Sequence, residues 1–210
     1  MRAAMIGATG LIGRQLWPLL QARHALLSLG RRPSGAAHEK IGDMAQWPGL
    51  LSGENIDVAI STLGTTRKAA GSWAAFEAVD RHAVLAFASA AREAGARQFL
   101  LVSSSGANAD SRNDYLRLKG EVEQAIAAFG FERVDVFRPG LLLGERSERR
   151  PAEAAGQALG PVLNLLLRGP LDRYAAIDAG LVARAMAALA GREQPGRFIH
   201  HNREIRALAA

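Results

Sequence analysis

The sequence predicts an α/β fold: a doubly wound, mostly parallel Rossmann sheet with helices on both faces. Three observations predict it. Short apolar runs alternate with longer helical stretches along most of the chain. The runs are apolar throughout instead of alternating with polar residues, as strands covered on both faces are. A glycine-rich turn stands at the first junction between a run and a helix, where such sheets bind their ligands.

The elements follow in order. Residues 3–6 are the first strand, and residues 11–22 the first helix. Pro18 lies inside that helix, where a missing N–H and a steric clash predict a bend or an early end. Residues 25–29 are the second strand, and a short third strand precedes Gly42-Asp43. Strands at 58–62, 99–102 and 134–137 then alternate with helices at 73–94 and 113–129. A late helix covers 179–190. Strand, helix and strand in repetition imply right-handed crossovers. From Gly140 to about Tyr174 the pattern is irregular, with a polar loop from Arg146 to Pro151 and breaks at Gly160, Pro161, Gly169 and Pro170. The expectation is one domain over 1–210, with 140–175 as a small irregular C-terminal appendage on the substrate side.

Composition removes several function classes. The 210 residues include no cysteine, so disulfides and thiolate metal sites are excluded. The N-terminal apolar segment is too short for a secretory signal and runs straight into the glycines. No stretch approaches the roughly 20 apolar residues of a membrane span. A soluble cytoplasmic protein with no membrane partner is expected. The net charge of +6 is carried mainly by arginine. No zinc-finger or RNP-like motif accompanies it, so a phosphate-bearing cofactor is the expected partner and nucleic acid is not. The pair His200-His201 has no third ligand in its sequence context, and no metal is expected.

The turn reads Gly7-Ala8-Thr9-Gly10-Leu11-Ile12-Gly13. Glycines at these positions let the backbone turn sharply and approach a pyrophosphate, and the following helix offers free N–H groups and a positive dipole end. The second strand ends in Gly30-Arg31-Arg32-Pro33. A carboxylate there would select NAD through the ribose hydroxyls; arginines instead suit a 2′-phosphate. NADP(H) is therefore expected over NAD(H), with Arg31 and Arg32 as its phosphate ligands. Asp43 is a candidate for the adenine amino group or, equally, a cap for the segment after it.

Tyr115 and Lys119 are four apart at the start of a helix, so they share a face. A free phenol titrates near pH 10 and is a poor proton donor to a reaction at neutral pH unless a nearby cation favours its ionised form. Ser103-Ser104-Ser105 ends the strand just upstream. A hydroxyl there suits a carbonyl oxygen on which charge develops, and one of these serines also suits a turn cap.

Together with Leu63-Gly64-Thr65-Thr66-Arg67, Val79-Asp80-Arg81, the run from Lys119 to Glu123, and Arg138-Pro139-Gly140, these motifs resemble the short-chain dehydrogenase/reductase superfamily. The atypical branch, and within it the HIV Tat-interactive protein-like oxidoreductase group, is the most similar. The resemblance covers most of the chain. It implies a single nicotinamide-dinucleotide domain reducing an unspecified small carbonyl compound. Tyr115 would donate the proton. Lys119 would bond the nicotinamide ribose. Ser104 would polarise the carbonyl, with Ser105 the competing choice. Leu63 and Gly64 would lie along the cofactor, and Pro139 to Leu142, Pro139 and Leu141 among them, would border the nicotinamide. Arg146 would reach substrate or cofactor. A homodimer is compatible with such relatives. So is a second role, as a redox-sensing or regulatory NADP(H) binder without turnover. Two departures stand out: a gap of about eleven residues between the serines and the tyrosine, and a short segment after Pro151.

Overall fold

In the computed structural model, which describes residues 1–144 and 169–210, the apolar runs are strands. They are β1 (Arg2–Ile6), β2 (Ala25–Gly30), β3 (Glu39–Ile41), β4 (Val58–Ser61), β5 (Gln98–Val102) and β6 (Arg133–Phe137). A further strand, β9 (Gly196–His200), completes one sheet of order β3-β2-β1-β4-β5-β6-β9, with every pairing parallel. The strand order reverses between β1 and β4, so a crevice opens beyond their carboxyl ends, where ligands of such sheets bind.

Side chains alternate across each strand, and this divides the core into two. Ala4 and Ile6 face Trp47, Phe76 and Phe87 on one side. Ala3 and Met5 face Leu16, Leu20 and Met186 on the other. The first layer rests on α2 (Trp47–Leu51), α4 (Trp73–Glu77), α5 (Val84–Glu93) and α6 (Asp114–Ala128); α3 (Arg67–Ala70) is a single turn after β4. The second rests on α1 (Gly13–Gln21), α7 (Ala179–Leu189) and α8 (Asn202–Leu208).

Most expected elements lie where the sequence puts them. The first helix runs past Pro18 and ends at Gln21. Asn113 caps α6 by accepting the Leu116 N–H at 3.1 Å, and Gly130, at φ +76°, follows its end. The helix expected at 73–94 is interrupted. Ala78–Ala83 forms a π-helical stretch between α4 and α5, a wider turn that is rare and concentrates at functional sites. Several short elements were not anticipated, β9 and α8 among them. β9 is an edge strand whose Gly196, Arg197 and Ile199 are exposed, so it has no apolar run to read. α8 has seven residues, too few to establish a helical period. β7 (Leu142–Leu143), within the stretch expected to be irregular, pairs in parallel with β8 (Ile177–Asp178), just beyond it. The polar loop at 146–151 and the breaks at Gly160 and Pro161 lie outside the described residues.

Candidate active site

The glycine turn packs against the end of β4. Gly7 has φ +86°, and a Cβ there would lie 2.5 Å from the Leu63 nitrogen. A Cβ on Gly13 would lie 2.0 Å from the Gly7 carbonyl oxygen. Any side chain at either position would push the turn off the sheet. Thr62 pins it from the other side, its hydroxyl donating to the carbonyls of Ile6 at 3.2 Å and Gly7 at 3.0 Å. Among the described residues no backbone acceptor meets the N–H groups of Leu11 and Ile12. They stand just ahead of α1, whose first turn carries no acidic side chain. A turn that excludes side chains and presents unmet N–H groups at a helix start suits a pyrophosphate.

Thr9, Gly10, Leu11 and Ile12 form one wall of a cleft of about 340 Å³. Leu63 and Gly64 form another, and Tyr115 and Lys119 close the far end. Arg32 borders the opening. Of the residues expected to bind a cofactor, Gly7, Ala8 and Gly13 lie beneath the turn and support it without lining the cleft. Arg31 is exposed and outside the lining. Asp43 stands at the head of a short helical turn, its N–H donating to Gln46 at 2.8 Å, so the capping alternative describes its position. Leu142 lines the cleft, whereas Pro139 and Leu141 do not. Arg146 lies outside the described residues.

Lys119 is buried, and its ammonium nitrogen is 2.6 Å from Asp80 Oδ1. The other Asp80 oxygen accepts the Thr65 N–H at 2.7 Å. Asp80 is 1% exposed and stands in the π-helical stretch. Burial alone would lower the Lys119 pKa. The negative charge of Asp80, aided by Tyr115 and Glu123, reverses that and raises it above the ordinary value of 10.5. Lys119 is therefore a fixed cation at neutral pH. Gly64 leaves room over this pair, since a Cβ there would lie 3.5 Å from Asp80 Oδ1 and 4.0 Å from Lys119 Nζ. Asp80 was visible in the sequence only as part of a motif. Nothing about an isolated aspartate in a helix reveals a buried partner 39 positions on.

Tyr115 is half-buried and tilts against Phe76, with ring centroids 5.8 Å apart. The serines divide. Ser103 is buried, lines the cleft, and donates to Glu123 at 2.5 Å. Ser104 turns its hydroxyl to the neighbouring Ser105 carbonyl at 3.4 Å. The Ser105 hydroxyl has no hydrogen-bond partner among the described residues. His200 is buried, and its Nε2 meets Asp135 at 2.9 Å.

A family model described as "NAD dependent epimerase/dehydratase family" matches residues 3–129. Curated relatives include "Protein fmp52, mitochondrial" of Emericella nidulans, 38% identical over 91% of this chain and 92% of its own. The protein FMP52, mitochondrial, of Candida albicans is 35% identical over 87% of this chain and 86% of its own. The expected cytoplasmic location is corrected by these relatives, whose names carry a mitochondrial one. Among solved structures, the UDP-glucose 4-epimerase of Bifidobacterium longum in complex with NAD+ and UDP superposes with a TM-score of 0.72 at 14% identity, over 95% of this chain and 77% of that one. The UDP-glucose 4-epimerase of Thermus thermophilus in complex with NAD gives 0.70 at 18%, over 100% and 81%. At these identities the structures share the fold.

Proposed function

The chain belongs to the NAD dependent epimerase/dehydratase family, and we propose that it is an NADP(H)-dependent oxidoreductase of the short-chain dehydrogenase type acting on a small carbonyl or alcohol compound. One observation carries the reading: Tyr115 and the Lys119 cation stand together at the end of a cleft that begins at a side-chain-free glycine turn. A nicotinamide dinucleotide would supply the hydride when bound there. The N–H groups of Leu11 and Ile12 would hold its pyrophosphate, and Leu63 and Gly64 would border it. Arg32, with Arg31 beside it, would hold a 2′-phosphate. Lys119 would bond a ribose hydroxyl and keep positive charge beside the phenol. Tyr115 would donate the proton to the carbonyl oxygen, a contribution typically worth about 10²–10⁴ in rate. Ser104 would polarise that oxygen, with Ser105 the competing choice; neither lines the cleft, and the Ser105 hydroxyl is buried. Similarity to the HIV Tat-interactive protein-like group remains part of this proposal.

The ion pair with Asp80 favours one second reading. It compensates the Lys119 charge within the protein, as a nucleotide-sensing protein without turnover could also do. The test is a titration with NADPH and NADH side by side, followed by nicotinamide fluorescence, and then a carbonyl screen with Tyr115→Phe. Tight NADPH binding, weaker NADH binding, and reduction abolished in the variant support the enzyme. Binding with no reduction, and a biological effect unchanged by Tyr115→Phe, support the sensor. Binding of neither nucleotide to the folded protein overturns both.

A further inference from the structure

A second cavity, of about 430 Å³, opens beside α6 on the β6–β9 side of the sheet. It shares no lining residue with the nucleotide cleft. Its charged lining comes from separate elements. Arg138 follows β6, Arg173 follows Pro170, Arg197 lies in β9, and Glu123 lies in α6.

The single carboxylate is turned inward. Glu123 is 1% exposed and both its oxygens are engaged. Oε1 accepts from Ser103 at 2.5 Å and from Arg138 Nε at 2.9 Å; Oε2 accepts from Arg138 Nη2 at 2.5 Å and from Arg197 Nη2 at 3.5 Å. Three guanidinium charges against one carboxylate leave two positive charges in excess around the cavity. Arg197 gives Glu123 only that long contact and keeps 40% of its side chain exposed. The Arg173 guanidinium lies 5.0 Å from the Tyr174 ring centroid, within cation–π reach. Asn108 and Gln124 add amide groups to the wall. His201 at the rim registers the same field: burial, then Arg138, hold its pKa below the ordinary value. A concave site lined by two guanidinium charges in excess of its one carboxylate matches a phosphoryl group, which carries about −1.5 to −2 charges at neutral pH.

We propose that this cavity is a binding site for a phosphoryl group, separate from the nucleotide cleft and independent of the cofactor reading. Ala107, Arg138 and His201 of its lining follow the carboxyl ends of β5, β6 and β9, and Arg197 reaches it from within β9. It is coupled to the cleft through Ser103, which lines the cleft while its hydroxyl holds Glu123. The phosphoryl group is either a free anion or one carried on a larger organic molecule.

Calorimetric titration with inorganic phosphate and with phenyl phosphate tests this on the wild-type protein and on Arg173→Gln, Arg197→Gln and Arg32→Ala. Both glutamine variants remove exposed charges; Arg173→Gln leaves the Glu123 cluster intact, and Arg197→Gln removes only its longest contact, at 3.5 Å. Saturable binding that weakens about tenfold or more in each glutamine variant, and is unchanged in Arg32→Ala, supports the site. Equal affinity for the two probes then marks a free anion, and tighter binding of phenyl phosphate marks a group carried on a larger molecule. No saturable binding, or binding lost in Arg32→Ala and kept in both glutamine variants, overturns the proposal.

Discussion

Two buried aspartates, one in a strand and one in a helical stretch, differ in their partners. Asp135, in β6, is fully buried and collects four donors. Gln98 donates to it at 2.8 Å, Arg133 at 2.7 and 2.8 Å, and His200 pairs with it at 2.9 Å. The network extends outward to structure alone: Gln98 also bonds the Leu189 carbonyl and the Gly191 N–H, and Arg133 bonds the Gln194 carbonyl. Together they clamp the connection between α7 and β9 beneath the sheet. Asp80 is equally buried but meets one N–H and one ammonium, and that ammonium fronts the cleft. The Asp135 network uses its charge to hold the fold, with every oxygen satisfied inside it. The Asp80 pair leaves donors of Lys119 uncommitted toward the cleft. Burial and pairing are shared; spare hydrogen-bonding capacity facing a cavity separates the pair at the candidate site from the structural network.

The largest effect should come from Asp135→Asn, which strands Arg133 among buried neighbours. Breaking a buried ion pair from one side typically costs about 3–5 kcal/mol, so urea unfolding should show a loss of that size. A loss below about 1 kcal/mol would break the comparison, since the network would then be dispensable. The pH dependence sharpens it. Burial would raise the Asp135 pKa, but the bonds from His200, Arg133 and Gln98 hold it below the ordinary value of 3.8. The stability it contributes is thus full above about pH 4 and is lost as pH falls through the lower folded value. The variant should lack that part of the acid limb.

Asp80→Asn should cost less, about 1–3 kcal/mol, because Lys119 borders a cleft from which water can solvate it. Its signature is on the alkaline side. In the wild type the Lys119 pKa is raised, so the pair's stability is full below pH 10.5 and is lost as pH rises through the folded value. In the variant the main charge opposing burial is gone and only Tyr115 and Glu123 remain, so deprotonation of the lysine relieves a cost. The stability gap between the two proteins should therefore narrow as pH rises towards and beyond 10. A gap that stays constant would mean the pair contributes no charge interaction.

The same contrast explains what the sequence made legible. Strands, the glycine turn, and the Tyr115–Lys119 pair are local: each depends on residues within a few positions, and periodicity or spacing exposes them. The Asp80–Lys119 and Ser103–Glu123–Arg138 contacts join residues 15 to 39 positions apart through the sheet. No spacing rule connects them, since only the pairing register of β4, β5 and β6 brings their ends together. The serine assignment failed to settle for a related reason. Three adjacent hydroxyls point three ways at a strand end, and only the fold decides that Ser103 reaches Glu123 while Ser105 is left unmatched. The edge strand β9 escaped because exposure had removed its apolar signature.

The smallest effect concerns the two arginines after β2, which look equivalent in sequence and are not in the fold. Arg32 borders the cleft and Arg31 does not. If Arg32 grips a 2′-phosphate, removing it deletes one charge-assisted contact worth about 1.5–3 kcal/mol. NADPH should then bind Arg32→Ala at least about tenfold more weakly. NADH has no such phosphate and should bind it within about twofold of the wild type. Both arginines are exposed, but Arg31→Ala should lose less, because Arg31 does not line the cleft and its charge acts on the nucleotide only across screening solvent. Raising the salt concentration should erase most of the Arg31 effect and a smaller share of the Arg32 effect. Equal losses for NADPH and NADH in Arg32→Ala would instead assign that residue to the shared pyrophosphate, and the choice between the two nucleotides would rest elsewhere in the chain.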